Sequence, residues 1–132
     1  MPLVAHNDLP SLQRLREAGT TVVLPEDRAA AQDIRELHIG LLNMMPDAAL
    51  EATERQFFRL IGESNPIAQF YAHPFTLDAI PRGAKAAAHI AKYYDSFERI
   101  RAEGLDALII TGANVTGEDL SREPFWGPLS EV

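Results

Sequence analysis

Two kinds of apolar spacing alternate along the chain. In SLQRLREAG (11–19), Leu12 and Leu15 share a helical face, with Ser11 placed to cap the start and Gly19 to end the turn. TTVVLPEDRA then holds a short β-branched strand, 20–24, stopped by Pro25. LHIGLLN (37–43) is a near-continuous apolar run, the pattern of a strand buried on both faces. Beyond it Leu50, Thr53, Phe57, Leu60 and Ile61 recur at helical spacing, with Glu51 and Arg55 as an i,i+4 pair and Gly62 as the stop. PIAQFYAHPF (66–75) alternates and reads as a strand, and AIPRGAK as a loop. The strongest helical pattern is 86–104, striped by Ile90, Tyr93 or Tyr94, Phe97 and Ile100 and ended by Gly104. LDALIIT (105–111) is the next buried strand. The first ten residues, with two prolines and an Asn-Asp pair, read as an extended arm, and FWGPLSEV as the start of a further helix.

This β-α-β-α-β order predicts an α/β fold with a parallel sheet flanked by helices. A sheet of three or four strands with an open edge is a poor stopping point. The chain is therefore expected to continue beyond Val132, or to have that edge covered by another chain. Residues 1–19 are taken as arm and short helix, and 20–132 as the N-terminal part of the α/β domain.

Composition narrows the chemistry. With 132 residues the chain is long enough for one core. A formal net charge of −7 argues against nucleic acid or an anionic membrane as partner, since both need a basic face. There is no cysteine, which removes disulfides, thiolate metal ligands and a cysteine nucleophile from these residues. No apolar run approaches the ~20 residues of a membrane span, and the N-terminus lacks a signal-peptide pattern, so a cytoplasmic location is expected.

In open α/β sheets ligands bind beyond the carboxyl ends of the strands. Two loops are expected there, Asn43-Met44-Met45-Pro46-Asp47 and Thr111-Gly112-Ala113-Asn114. Asn43, Pro46, Asp47 and Asn114 are the candidate substrate contacts. Gly112 permits positive φ and close approach, and the N–H groups of 112–114 suit an anion or a developing oxyanion. A plain βα turn would also use a glycine. His6, His38, His73 and His89 lie at no metal-ligand spacing and read as structural, with no metal site expected. Asp47, Glu51 and Glu54 read as complements to a helix dipole, and Met44-Met45, Tyr93, Tyr94 and Phe97 as packing. Composition and spacing thus reach an α/β domain with one suggestive turn and no reaction.

Several stretches in order resemble the N-terminal half of the homoserine O-acyltransferase family of the succinyltransferase type. They are MPL…DLPSLQRLREAG, RAAAQDIRELHIGLLNMMP, ATERQFFRLIGESNP and HIAKYYDSFERIRAEGLDALIITGAN. The resemblance implies a class I glutamine amidotransferase-like (flavodoxin-like) fold. It also implies ping-pong transfer from acetyl-CoA or succinyl-CoA to homoserine, in methionine biosynthesis, with no bound cofactor. The nucleophilic cysteine, histidine and glutamate are expected beyond Val132, so that 1–132 alone is inactive. Gly112 and Ala113 take the oxyanion role by that likeness. The arm suggests a homo-oligomer.

Three positions depart from the family pattern. Asp47 follows Pro46 where many members have lysine, in a longer loop. TGAP has become TGAN at Asn114. Thr116 falls where glutamate accompanies acetyl-CoA and glycine accompanies succinyl-CoA. A side chain larger than glycine crowds a succinyl tail and tilts the expectation to acetyl. The alternatives are acylation of serine or another hydroxy amino acid, an amidotransferase-like domain moving a different group, and a non-catalytic α/β module that binds a ligand or partner.

Overall fold

The structure, a computed structural model, describes residues 3–19, 22–30, 35–65 and 67–132. Thr20 and Thr21 of the expected 20–24 strand, Pro66 of the 66–75 strand and residues 31–34 of the RAAAQDIREL motif lie outside the described residues. A five-stranded parallel sheet runs β2-β1-β4-β3-β5, where β1 is Leu3–Ala5, β2 Val23–Pro25, β3 Glu36–Leu42, β4 Gln69–Phe75 and β5 Ala107–Ile110. The α/β class is the one the sequence predicts.

Helices α1 (Pro10–Ala18) and α3 (Leu50–Ser64) cover one face. Leu12, Leu15, Phe58 and Ile61 pack there on Leu3, Leu41, Phe70 and Ala72. Side chains alternate across a strand, so Leu42 and Phe75 point the other way. They meet Ile100 and Phe97 of α5 (Phe97–Glu103), while Val4, Leu24 and Tyr71 meet Ala29 of α2 (Glu26–Ala30). Burial on both faces explains why β4, read as alternating, is buried at six of its seven residues.

Several sequence expectations change. Residues 3–5, read as part of an arm, are extended but form a strand between β2 and β4, with Leu3 and Val4 fully buried. That burial withdraws the reason for expecting oligomer contacts from the arm. Ser11 does not cap α1: its hydroxyl donates to Glu54 at 2.7 Å, and Pro10 opens the helix instead. Gly19 does end α1, in the left-handed conformation at φ 71°. Gly62 lies inside α3, which runs on to Ser64. The single helix expected over 86–104 is two, α4 (Ala84–Tyr93) and α5. At the break the Asp95 amide donates to Pro74 O at 2.9 Å, and Ser96 Oγ caps α5 by accepting from Arg99 N. The tail holds a 3-10 turn, Leu120–Arg122, and a short helix α6, Trp126–Leu129.

Candidate functional site

Register brings the three expected strand ends into one row. Leu42 pairs with Phe75 on one side and Ile110 on the other, so the chains leaving β3, β4 and β5 emerge together. The first residues beyond continue the ladder, with Asn43 N donating to Phe75 O at 2.9 Å and Thr111 N to Leu42 O at 3.0 Å. Thr111 is buried, and its Oγ1 accepts from Met44 N at 2.8 Å while donating to Gly112 O at 2.9 Å. One hydroxyl thereby ties the two candidate loops to each other.

A buried guanidinium holds the first loop from beneath. Arg82, with a side chain only 7% exposed, donates from Nη2 to Asn43 O at 3.1 Å and Thr76 Oγ1 at 3.2 Å. Its Nη1 donates to Met45 O and, at 3.3 Å, to Asp47 Oδ1. The other Asp47 oxygen accepts from Gly83 N at 2.7 Å, beside the start of α4. The Gly83 amide, and after it the Arg82 guanidinium, hold the Asp47 carboxyl below its ordinary range. Asp47 is thus an engaged anion that binds the loop to the 82–83 turn. The sequence reading passed Arg82 over inside AIPRGAK, because one arginine in a loop carries no signal until its acceptors are placed around it.

Between the loops lies a cavity of about 570 Å³. Of the candidate residues it gathers Pro46, Asp47, Ala113, Asn114 and Thr116 on its wall, together with Glu123. The rest is largely apolar, including Met44, Ile80 and Phe125. Asn43 does not reach it. That side chain is fully buried, donating to Leu50 O and Tyr94 Oη at 3.0 Å each and accepting from Met45 N at 3.2 Å. Gly112 is also not as expected. Among the described residues only Gly19 and Gly104 have positive φ, so no left-handed turn requires this glycine. A Cβ at Gly112 would meet no atom within 4 Å, which leaves open space in front of the backbone.

Behind the loops sits a polar network built on Glu54, which the sequence suggested as a complement to a helix dipole. Glu54 is fully buried on α3. It accepts from Ser11 Oγ at 2.7 Å, from His89 Nε2 at 2.8 Å and from Tyr94 Oη. Burial, and then the Glu54 charge, push the Tyr94 hydroxyl well above its ordinary pKa, so it stays a donor. The signal was present: Glu54 stands four residues from both Leu50 and Phe58, on the helix face that turns inward. Glu51 faces His89 Nδ1 at 3.6 Å rather than Arg55.

The other three histidines form a cluster on the opposite sheet face. His38 Nδ1 and His73 Nε2 are 2.8 Å apart, and His73 Nδ1 lies 3.2 Å from Asp95 Oδ2. The His6 ring stands 4.9 Å from that of His73. The His73 hydrogen bond lowers the Asp95 pKa, and burial lowers that of His6. Among the described residues no group of three or more His, Cys, Asp or Glu side chains is placed to hold a metal ion.

The family profile described as homoserine O-succinyltransferase matches residues 2–132. Over the whole chain, the curated homoserine O-succinyltransferase of Allochromatium vinosum is 73% identical, and those of Thiobacillus denitrificans and Methylococcus capsulatus are 71% and 70% identical. The chain spans little more than a third of their length, 37% of the first and third and 38% of the second.

Proposed function

The chain belongs to the homoserine O-succinyltransferase family, and from that premise we propose that it is the N-terminal portion of an acyl-CoA-dependent O-acyltransferase. The enzyme moves a succinyl group from succinyl-CoA to the hydroxyl of homoserine, in the cytoplasm and in methionine biosynthesis. The observation that carries this reading is the cavity at the shared ends of β3, β4 and β5, walled by Pro46, Asp47, Ala113, Asn114 and Thr116. Its position is where α/β sheets place their ligands.

The chain has no cysteine, so the nucleophile is contributed from outside residues 1–132. Within them, the turn at Gly112 and Ala113 presents backbone N–H groups to the thioester carbonyl, where they stabilise the oxyanion that forms on attack. Open space in front of Gly112 suits a reacting group that must come that close. Thr116 alone favours a small acyl group, but the names of the three relatives favour succinyl.

A steady-state test follows from the two-step chemistry. The full-length enzyme, assayed for thiol release while succinyl-CoA and homoserine are varied together, is expected to give parallel double-reciprocal lines. Intersecting lines would rule out the acyl-enzyme, and release that ignores homoserine would rule out the acceptor.

A further inference from the structure

The loop that carries Thr116 is held by the carboxylate of Glu123. Glu123 Oε1 accepts from Thr116 N and from Gly117 N, each at 3.1 Å. Its own backbone is fixed, Glu123 N donating to Leu120 O at 3.1 Å and Trp126 N donating to Glu123 O at 3.0 Å. Two residues on, Phe125 is buried against Leu42, Met44 and Phe75, which anchors the segment to the sheet. Glu123 and Thr116 both line the cavity.

Charge within that cavity sharpens the point. A succinyl tail ends in a carboxylate, whereas Asp47 and Glu123 are both anions on the wall. Each is engaged by backbone N–H groups, Asp47 by Gly83 and Glu123 by Thr116 and Gly117. Such hydrogen bonds spread the negative charge and reduce its repulsion of an incoming anion. The uncharged polar residues on the wall are Asn114 and Thr116. Their placement follows from the loop, and the loop from Glu123.

We propose that Glu123 is a specificity-positioning residue, whose carboxylate pins the 116–117 backbone and so fixes the wall that selects the acyl group. This rests on the acyltransferase reading above. Two substitutions in the full-length enzyme separate reach from charge. Glu123→Gln keeps an oxygen at the same reach, while Glu123→Asp keeps the charge but is one methylene too short to hold both amides.

The quantity measured is the ratio of kcat/KM for succinyl-CoA to that for acetyl-CoA, with homoserine as acceptor. E123D is expected to move this ratio by about tenfold or more, and E123Q by no more than about twofold, the scale of discrimination that pocket shape supplies. A purely structural role would lower both kcat/KM values together and leave the ratio in place. An unchanged ratio in E123D, or a shift in E123Q as large as in E123D, overturns the proposal. Absence of homoserine-dependent turnover in the unsubstituted enzyme, with either thioester, is the separate result that overturns the acyltransferase reading and this inference with it.

Discussion

Glu54 ties three segments of this fold together. It is a fully buried carboxylate on α3, and its donors come from α1, from α4 and from the residue that ends α4. Removing one partner from such a set leaves the others buried and unpaired, so Glu54→Ala is expected to lose about 3–5 kcal/mol of stability in denaturant unfolding. Gly112 is the contrast. Alanine there meets nothing within 4 Å, so Gly112→Ala is expected to change stability by less than about 0.5 kcal/mol. It should nevertheless lower acyl transfer by about tenfold or more if the turn faces the reacting carbonyl. A stable but unimpaired variant would remove the turn from the mechanism. Acid stability separates two further groups. His6 has its pKa lowered by burial from 6.5, so the unfolded chain takes the proton first and stability falls as pH drops through that value. The lowered carboxyls of Asp47 and Asp95 act further down. Their contribution is complete above the ordinary aspartate range and is lost as pH falls through their folded values. Unfolding midpoints taken from pH 8 to pH 3 should therefore decline in two stages, and replacing His6 by a neutral residue should remove most of the first.

At the scale of elements, apolar runs predicted β3 and β5 and alternation predicted β4; of the three only β4 is buried along nearly its whole length, and β5, expected to be buried, is largely exposed because it lies at the sheet edge. Of the two short strands, β1 was read as arm, while β2 was anticipated by the β-branched stretch 20–24, whose expected stop, Pro25, is instead the last residue of the strand. Three residues at 3–5 and three at 23–25 carry no periodicity to count. The break between α4 and α5 was missed for a related reason, since the stripe of Ile90, Phe97 and Ile100 continues across it. Only the tertiary bond from Asp95 N to Pro74 O and the Ser96 cap show why the helix stops. Ser96→Ala is expected to cost about 1 kcal/mol, measurable as a lowered unfolding midpoint. The candidate loops were legible because strand ends in a parallel sheet are where ligands bind. Arg82 and the buried role of Asn43 were not, since they depend on partners distant in sequence, and Glu123 was not, since it meets Thr116 and Gly117 across a loop that has no periodicity to read. Packing between elements is tight at Gly40 of β3, where a Cβ would fall inside contact distance of Leu105 and lie 3.3 Å from Phe75. Gly40→Ala is expected to cost about 1–3 kcal/mol by overpacking and to displace the start of β5.

Taken whole, the molecule is a sheet with the row Leu42, Phe75 and Ile110 at one end, a cavity above it and helices on both faces. At one edge β5 leaves Leu108 and Ile110 39% and 49% exposed. The isolated 132-residue chain is therefore expected to self-associate through that strand, visible as concentration-dependent elution on size exclusion. The class of fold and the meeting of the two candidate loops could be read from residue patterns. The proposed reaction could not, because these residues hold no cysteine and only the ordered motifs pointed to it. The most direct test is intact-mass measurement of the full-length enzyme incubated with succinyl-CoA and no acceptor. The expected result is one succinyl group on a cysteine outside residues 1–132, discharged on adding homoserine. An unmodified protein, or an adduct that homoserine does not discharge, would contradict the account.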